Sequence, residues 1–188
     1  MGNRRFSRKR LFETEKLGKP VDLEAGAGIK DAIVSATQHR NGAEIITEIA
    51  LDLGTSKASI LGGGGDNGVI GTLAAASNLT RLTEAKFGIV TEIRAIVMEA
   101  PAGGYTQVNI ASNAAVLNQD ADATTEQVAD LATVGQDDLV DIDNASTLQT
   151  AGSEHYLYLT NAGGGDATEM SAGKLLIYIH GFEAPSDI

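Results

Sequence analysis

The sequence predicts an all-β fold: a β-sandwich or jelly-roll-like domain over residues 21–188, with an extended basic N-terminal arm over residues 1–20. Three observations predict it. Residues 44–54, EIITEIALDLG, place Ile45, Thr47, Ile49, Leu51 and Leu53 on one side and Glu44, Glu48 and Asp52 on the other. That is the period-2 pattern of a half-buried strand. Near the other end, Leu175-Leu176-Ile177-Tyr178-Ile179 is apolar throughout, as expected of a strand covered on both faces in a sandwich interior or a subunit contact. Finally, 22 glycines, no tryptophan, no cysteine, four phenylalanines and four tyrosines imply an aliphatic core in a chain that turns often. With 188 residues, 43% of them hydrophobic, there is material for one well-formed core.

Each element follows in chain order. Residues 1–20 carry charge with little periodicity and end at Lys19-Pro20, which suits an arm, extended or partly helical. Residues 21–43 mix glycine with one short apolar run, Ala32-Ile33-Val34. The strand at 44–54 ends at Gly54. Ser59-Ile60-Leu61 and Val69-Ile70 then flank four glycines, Gly62 to Gly65, and Asp66-Asn67-Gly68, the composition of a mobile hairpin loop. Residues 86–100 form a second strand, which Pro101-Ala102-Gly103-Gly104 breaks, and Tyr105 to Ile110 starts another. Residues 118–146 carry eight acidic side chains and no basic one. Within this acidic loop Thr124-Thr125-Glu126, Val128 and Leu131 suit a short capped helix or helical turn. The chain closes as strand, glycine-rich loop and strand, the last over 173–183.

Catalytic residue types are sparse. His39, His155 and His180 fall in three separate regions, and no strand-turn-helix of the G-x-S-x-G type supports a Ser-His-Asp arrangement. No enzyme activity is expected, and His180 reads as a hydrogen-bonded core or interface residue. GGGGDNG lacks the lysine and following helix of a phosphate-cradling loop. Asp137-Asp138 and Asp141-x-Asp143-Asn144 offer oxygen ligands, yet their spacing is not that of an EF-hand. No metal and no cofactor is expected. Without cysteine there is neither a disulfide nor thiolate chemistry. No run of 18 apolar residues predicts a membrane span, and the N-terminus fits neither a myristoylation nor a twin-arginine pattern.

The charge distribution is lopsided. Residues 1–19 hold seven basic side chains against two acidic ones, while the remaining residues hold seven basic against 23 acidic. Arg4, Arg5, Arg8, Lys9 and Arg10 surround Phe6 and precede Phe12, which makes these seven residues the candidate partner-binding site. An acidic body repels a polyanion everywhere but at the arm, so nucleic acid is not the expected partner and an acidic protein surface is a fitting one. Strands in need of cover on both faces point to a homo-oligomer, a trimer being favoured.

N-R-R-F-S-R-K-R-L-F-E-T-E-K-L-G (Asn3 to Gly18) and S-A-T-Q-H-R-N-G-A-E-I-I-T-E-I-A-L-D-L-G (Ser35 to Gly54) resemble virion structural proteins of marine tailed phages. The closing G-K-L-L-I-Y-I-H-G-F-E (Gly173 to Glu183) is similar to the last strand of many phage β-sandwich head proteins. The resemblance covers about half the chain and contains no catalytic motif. It implies a virion (capsid) location and a decoration or cement role, with the major capsid protein or neighbouring virion subunits as partners. It also implies a trimer whose arm reaches its neighbours. The alternatives are a carbohydrate-binding or adhesin-type β-sandwich module that calcium could assist, against which the lack of tryptophan counts, and an enzyme with an unusual carboxylate site in residues 120–143.

Overall fold

The alternation of residues 44–54 places this segment inside a sheet with one face buried. The computed structural model describes residues 18–54, 59–65, 67–103, 108–123, 126–130, 139–142, 149–150, 153–161 and 168–183. It is built from strands β1 (Lys19–Pro20), β2 (Ile33–Asn41), β3 (Glu44–Asp52), β4 (Thr80–Arg81), β5 (Ile89–Ala102), β6 (Val108–Asn113), β7 (Glu126–Asp130), β8 (Leu139–Ile142), β9 (Gln149–Thr150), β10 (Ser153–Glu154), β11 (Tyr156–Asn161) and β12 (Ala172–Phe182). One sheet runs β1-β2-β3-β12-β5-β8 and a second β4-β11-β6-β7, and β9 pairs with β10. All pairings are antiparallel. The fold is an all-β sandwich, as the sequence predicts.

Its core lies between the two sheets. Ile49 and Leu51 of β3, Leu175, Ile177 and Ile179 of β12, and Val90, Ile93 and Val97 of β5 meet Val108 and Ile110 of β6 and Leu157 and Leu159 of β11. Ile29, Leu79, Leu82 and Phe87 close the ends. Such a core is aliphatic because period-2 strands expose one flat face, which β-branched side chains tile well. At the Phe87 end, Gln38 Nε2 donates to both Thr47 Oγ1 and the Lys86 carbonyl, each at 2.9 Å, fastening β2 to the turn before β5.

Several elements differ from expectation. The strand expected over 86–100 begins only at Ile89, because Glu84–Phe87 is a helical turn that Gly88, at φ 68, redirects into β5. It continues through Pro101 to Ala102. The helix expected over 124–131 is not formed at Glu126–Asp130, which pairs with β6, and Leu139–Ile142 pairs with β5. A capping signal is a local preference worth about 1 kcal/mol, and an open sheet edge outweighs it. Thr124, Thr125 and Leu131 lie outside the described residues. Ile33–Asn41 is a full strand where the sequence shows only a short apolar run. Leu61 and Gly71 bridge as an antiparallel pair, the hairpin expected around the glycines.

Candidate functional site

Arg4, Arg5, Phe6, Arg8, Lys9, Arg10 and Phe12 lie outside the described residues, and so does any arrangement among them. The point at which their segment joins the fold is described. Lys19 pairs with Gln38 and Pro20 with Thr37, so the last two residues assigned to the arm already belong to the sheet as β1. Proline fits there because an edge strand has one row of backbone groups without a ladder partner. Beside this pairing a groove of about 660 Å³ is lined by Lys19, Pro20, Gln38, His39, Arg40 and Glu183. Arg40 Nη1 donates to Glu183 Oε1 at 2.9 Å across it.

The second feature is the outer face of the six-stranded sheet. Register fixes its rows. Glu44, Phe182 and Ile89 form one; Ile46, His180 and Glu92 the next; Glu48, Tyr178 and Arg94 the third; Ala50, Leu176 and Ile96 the fourth. Strand β12 is therefore fully covered on one face only: Leu175, Ile177 and Ile179 are buried, whereas Leu176 and Tyr178 are only partly buried. This corrects the expectation of two-sided cover within the chain. Ile89 and Phe182, register partners, are 45% and 46% exposed.

Charges on this face are paired within it. His180 Nδ1 lies 3.3 Å from Glu44 Oε1, Arg94 Nε donates to Glu92 Oε1 at 2.5 Å, and Lys174 Nζ donates to Glu99 Oε2 at 2.6 Å. Burial, with the Glu48 carboxylate beside it, pushes the Tyr178 phenol up. Glu44, Glu48, Asp52, Glu92 and Glu99 against Arg94 and Lys174 leave the face acidic even so. His180 is hydrogen-bonded, as expected, though on this outer face rather than in the core.

The other chemistry-bearing residues are engaged in structure. Ser112 Oγ and His155 Nδ1 are 3.3 Å apart, a contact in which a hydroxyl and an imidazole meet as they would in a nucleophile–base pair. Ser112 is fully buried, however, so no substrate carbonyl can approach its Oγ in this conformation. In the glycine loop, Asn161 grips Gly63: its Oδ1 accepts from the Gly63 N–H at 3.2 Å and its Nδ2 donates to the Gly63 carbonyl. Asp120 accepts from the Gly64 N–H, and Gln119 Nε2 donates to the Gly62 carbonyl at 3.2 Å. Amides already given to Asn161 and Asp120 are not open to a phosphate. A Cβ on Gly63 would stand 2.2 Å from the Gly68 carbonyl oxygen, which is why the run is glycine here.

Among the described residues no group of three or more histidines, aspartates or glutamates could hold a metal ion. Asp137, Asp138, Asp143 and Asn144 lie outside them, and nothing is described of the Asp141 side chain. No described helix is long and apolar enough to cross a membrane.

What fold and surface define together is an antiparallel β-sandwich with an edge groove where the N-terminal segment enters and an acidic, partly apolar outer sheet face. Compared with known protein families, with curated proteins and with solved structures, the chain matches none. Sequence reasoning missed the groove and the outer face. The signal for the face was present in the even-numbered Ile46, Ala50 and Leu176, apolar residues on the side that Glu44 and Glu48 mark as outward.

Proposed function

We propose that the protein is a structural virion component, a capsid decoration or cement protein that binds the capsid surface through its basic arm and stabilises the head. The observation that carries this reading is the joining of arm to fold. Lys19-Pro20 is hydrogen-bonded into the sheet edge, so force on residues 1–17 would pass directly into the six-stranded sheet. Fastening of this kind suits an attachment element. The strong basicity of the arm and the acidity of the remainder support a docking contact with acidic protein rather than with nucleic acid.

The resemblance of Asn3–Gly18 and Ser35–Gly54 to marine tailed-phage virion proteins supports the same reading. Its partners are the major capsid protein or neighbouring virion subunits, and its own state is an oligomer, a trimer in the simplest case. A mass-spectrometric inventory of purified virions tests it. The chain should be present in a copy number commensurate with the capsid lattice, and its absence from intact particles overturns the reading.

A further inference from the structure

We infer that Asn41 is a site of spontaneous covalent modification: its side-chain amide is lost to attack by the Gly42 backbone nitrogen, leaving aspartyl and isoaspartyl forms at the tip of the β2–β3 hairpin. Asparagine is thermally labile, and most so before glycine, which has no side chain to hinder the approach of its own nitrogen. The chain holds two such pairs, Asn41-Gly42 and Asn67-Gly68, and the fold treats them differently. Asn41 and Glu44 close the hairpin as register partners, with Gly42, at φ 67, and Ala43 between them. Asn41, Gly42 and Ala43 are all exposed, and a Cβ on Gly42 would meet no atom within 4 Å. Among the described residues nothing accepts from the Gly42 N–H, and no group holds the Asn41 carboxamide.

The second pair is pinned. The Gly68 N–H donates to the Gly65 carbonyl at 3.1 Å, and the Gly68 carbonyl accepts from the Asn161 N–H at 3.0 Å. Asn67 donates its own N–H to the Asn161 carbonyl at 3.2 Å and accepts from the Ala123 N–H at 3.1 Å. Gly68 is buried besides. Ring closure there requires this turn to open first.

The chemistry needs only water. The Gly42 nitrogen gives up its proton to solvent hydroxide and bonds to Asn41 Cγ, and the amide nitrogen leaves as ammonia. The succinimide so formed takes up one water. Opening at Cγ leaves aspartate, and opening at the main-chain carbonyl leaves isoaspartate. One water is consumed, one ammonia is released, and nothing is oxidised or reduced. Either product adds a carboxylate opposite Glu44, and like charges directly across a ladder repel. Isoaspartate also lengthens the main chain by a methylene beside Ala43, whose carbonyl accepts from the Glu183 N–H at 2.8 Å. Gly42 and Glu183 both line the groove next to β1, so the change alters that groove once and irreversibly in each chain.

The test incubates purified full-length protein at mildly alkaline pH in water enriched in heavy oxygen, whose label separates conversion during incubation from conversion during work-up. Both asparagines are followed by peptide mapping that resolves aspartyl from isoaspartyl forms. Asn41 should convert at least about tenfold faster than Asn67, because opening the second turn breaks hydrogen bonds that the first lacks. A band one charge more acidic should appear on isoelectric focusing at the same rate. In urea the two rates should converge, since only the Asn-Gly pairs themselves remain once the fold is gone. Asn41→Gln keeps the amide but disfavours ring closure, and should remove the acidic band in protein of unchanged circular dichroism. Equal rates in the folded protein, faster loss at Asn67, no conversion at Asn41, the same ratio in urea as in the fold, or an acidic band that persists in the glutamine variant overturns the inference.

Discussion

The carbonyl oxygen of Phe87 stands 2.0 Å from where a Cβ on Gly181 would sit. Strand β12 must cross beneath the turn that ends in Phe87, and only a residue without a side chain lets the two backbones approach so closely. Gly181→Ala should therefore destabilise the domain by about 1–3 kcal/mol, the usual range for forcing extra volume into a packed site. Urea unfolding should show a lower midpoint at an unchanged slope. A midpoint equal to wild type would mean that the backbones can part without loss.

A second prediction concerns the same end of the sandwich. Gln38 shares its amide between Thr47 Oγ1 and the Lys86 carbonyl, and Thr47 is fully buried. Gln38→Ala should cost about 1–3 kcal/mol, because it removes the partner of a hydroxyl that water cannot reach. Thr47→Val alone leaves the Lys86 contact intact and should cost less. A double-mutant cycle isolates the pair: a coupling near 1 kcal/mol is expected for a neutral bond, and additivity of the two single changes would show that the contact adds nothing.

The difference between what was legible and what was not follows from where each signal resides. β3 was legible because its odd residues are buried and its even ones charged, so the pattern contains its own register. β2 was not: Ser35, Thr37 and His39 on one face and Ala36, Gln38 and Arg40 on the other show no apolar alternation. It forms because β3 offers a hydrogen-bonding edge and Gln38 has a partner in Thr47. The helix signal at 124–131 failed for a related reason, since the caps of a short helix compete poorly with a ladder along β6. The outer face was hidden by the very run that revealed β12, because Leu176 and Tyr178 are as apolar as their buried neighbours.

Tyr158 supplies a pH prediction. Its hydroxyl donates to the Ala115 carbonyl at 2.7 Å and accepts from the Leu117 N–H at 2.9 Å. Burial, opposed in part by the Leu117 contact, pushes its pKa up to about 12 from 10. The fold holds the neutral phenol, whereas the unfolded chain ionises at about 10. The stability contributed is therefore complete below pH 10 and is lost as pH rises from 10 through about 12. Tyr158→Phe should be less stable at pH 7 by about 1–2 kcal/mol through loss of the two contacts, and its stability should fall less between pH 10 and 12. Parallel declines for the two proteins would assign the alkaline transition to another group, of which Tyr178 is the first candidate.

Deletion of residues 2–12 should separate attachment from folding. Residues 2–12 are rich in charge with little periodicity and precede the first described strand at Lys19, so the shortened chain should keep its circular dichroism and unfolding midpoint. Its occupancy on particles that lack the protein should drop, because the deletion removes the five cations of positions 4–10 together with Phe6 and Phe12. The length of the arm argues that these contacts lie at a distance: about 15 extended residues reach ~50 Å, beyond the width of a six-stranded sheet at ~4.8 Å per strand. For the full-length protein occupancy should weaken as salt rises, since exposed ion pairs are screened, while the aromatic anchors should retain part of the binding. Replacing Arg4, Arg5, Arg8 and Arg10 by lysine keeps the charge but loses the planar fork, and should give intermediate occupancy if bidentate contacts with carboxylates matter. Equal occupancy for full-length and shortened chains, at low and at high salt, would show that the basic segment does not attach the protein and that the sandwich itself carries the contact.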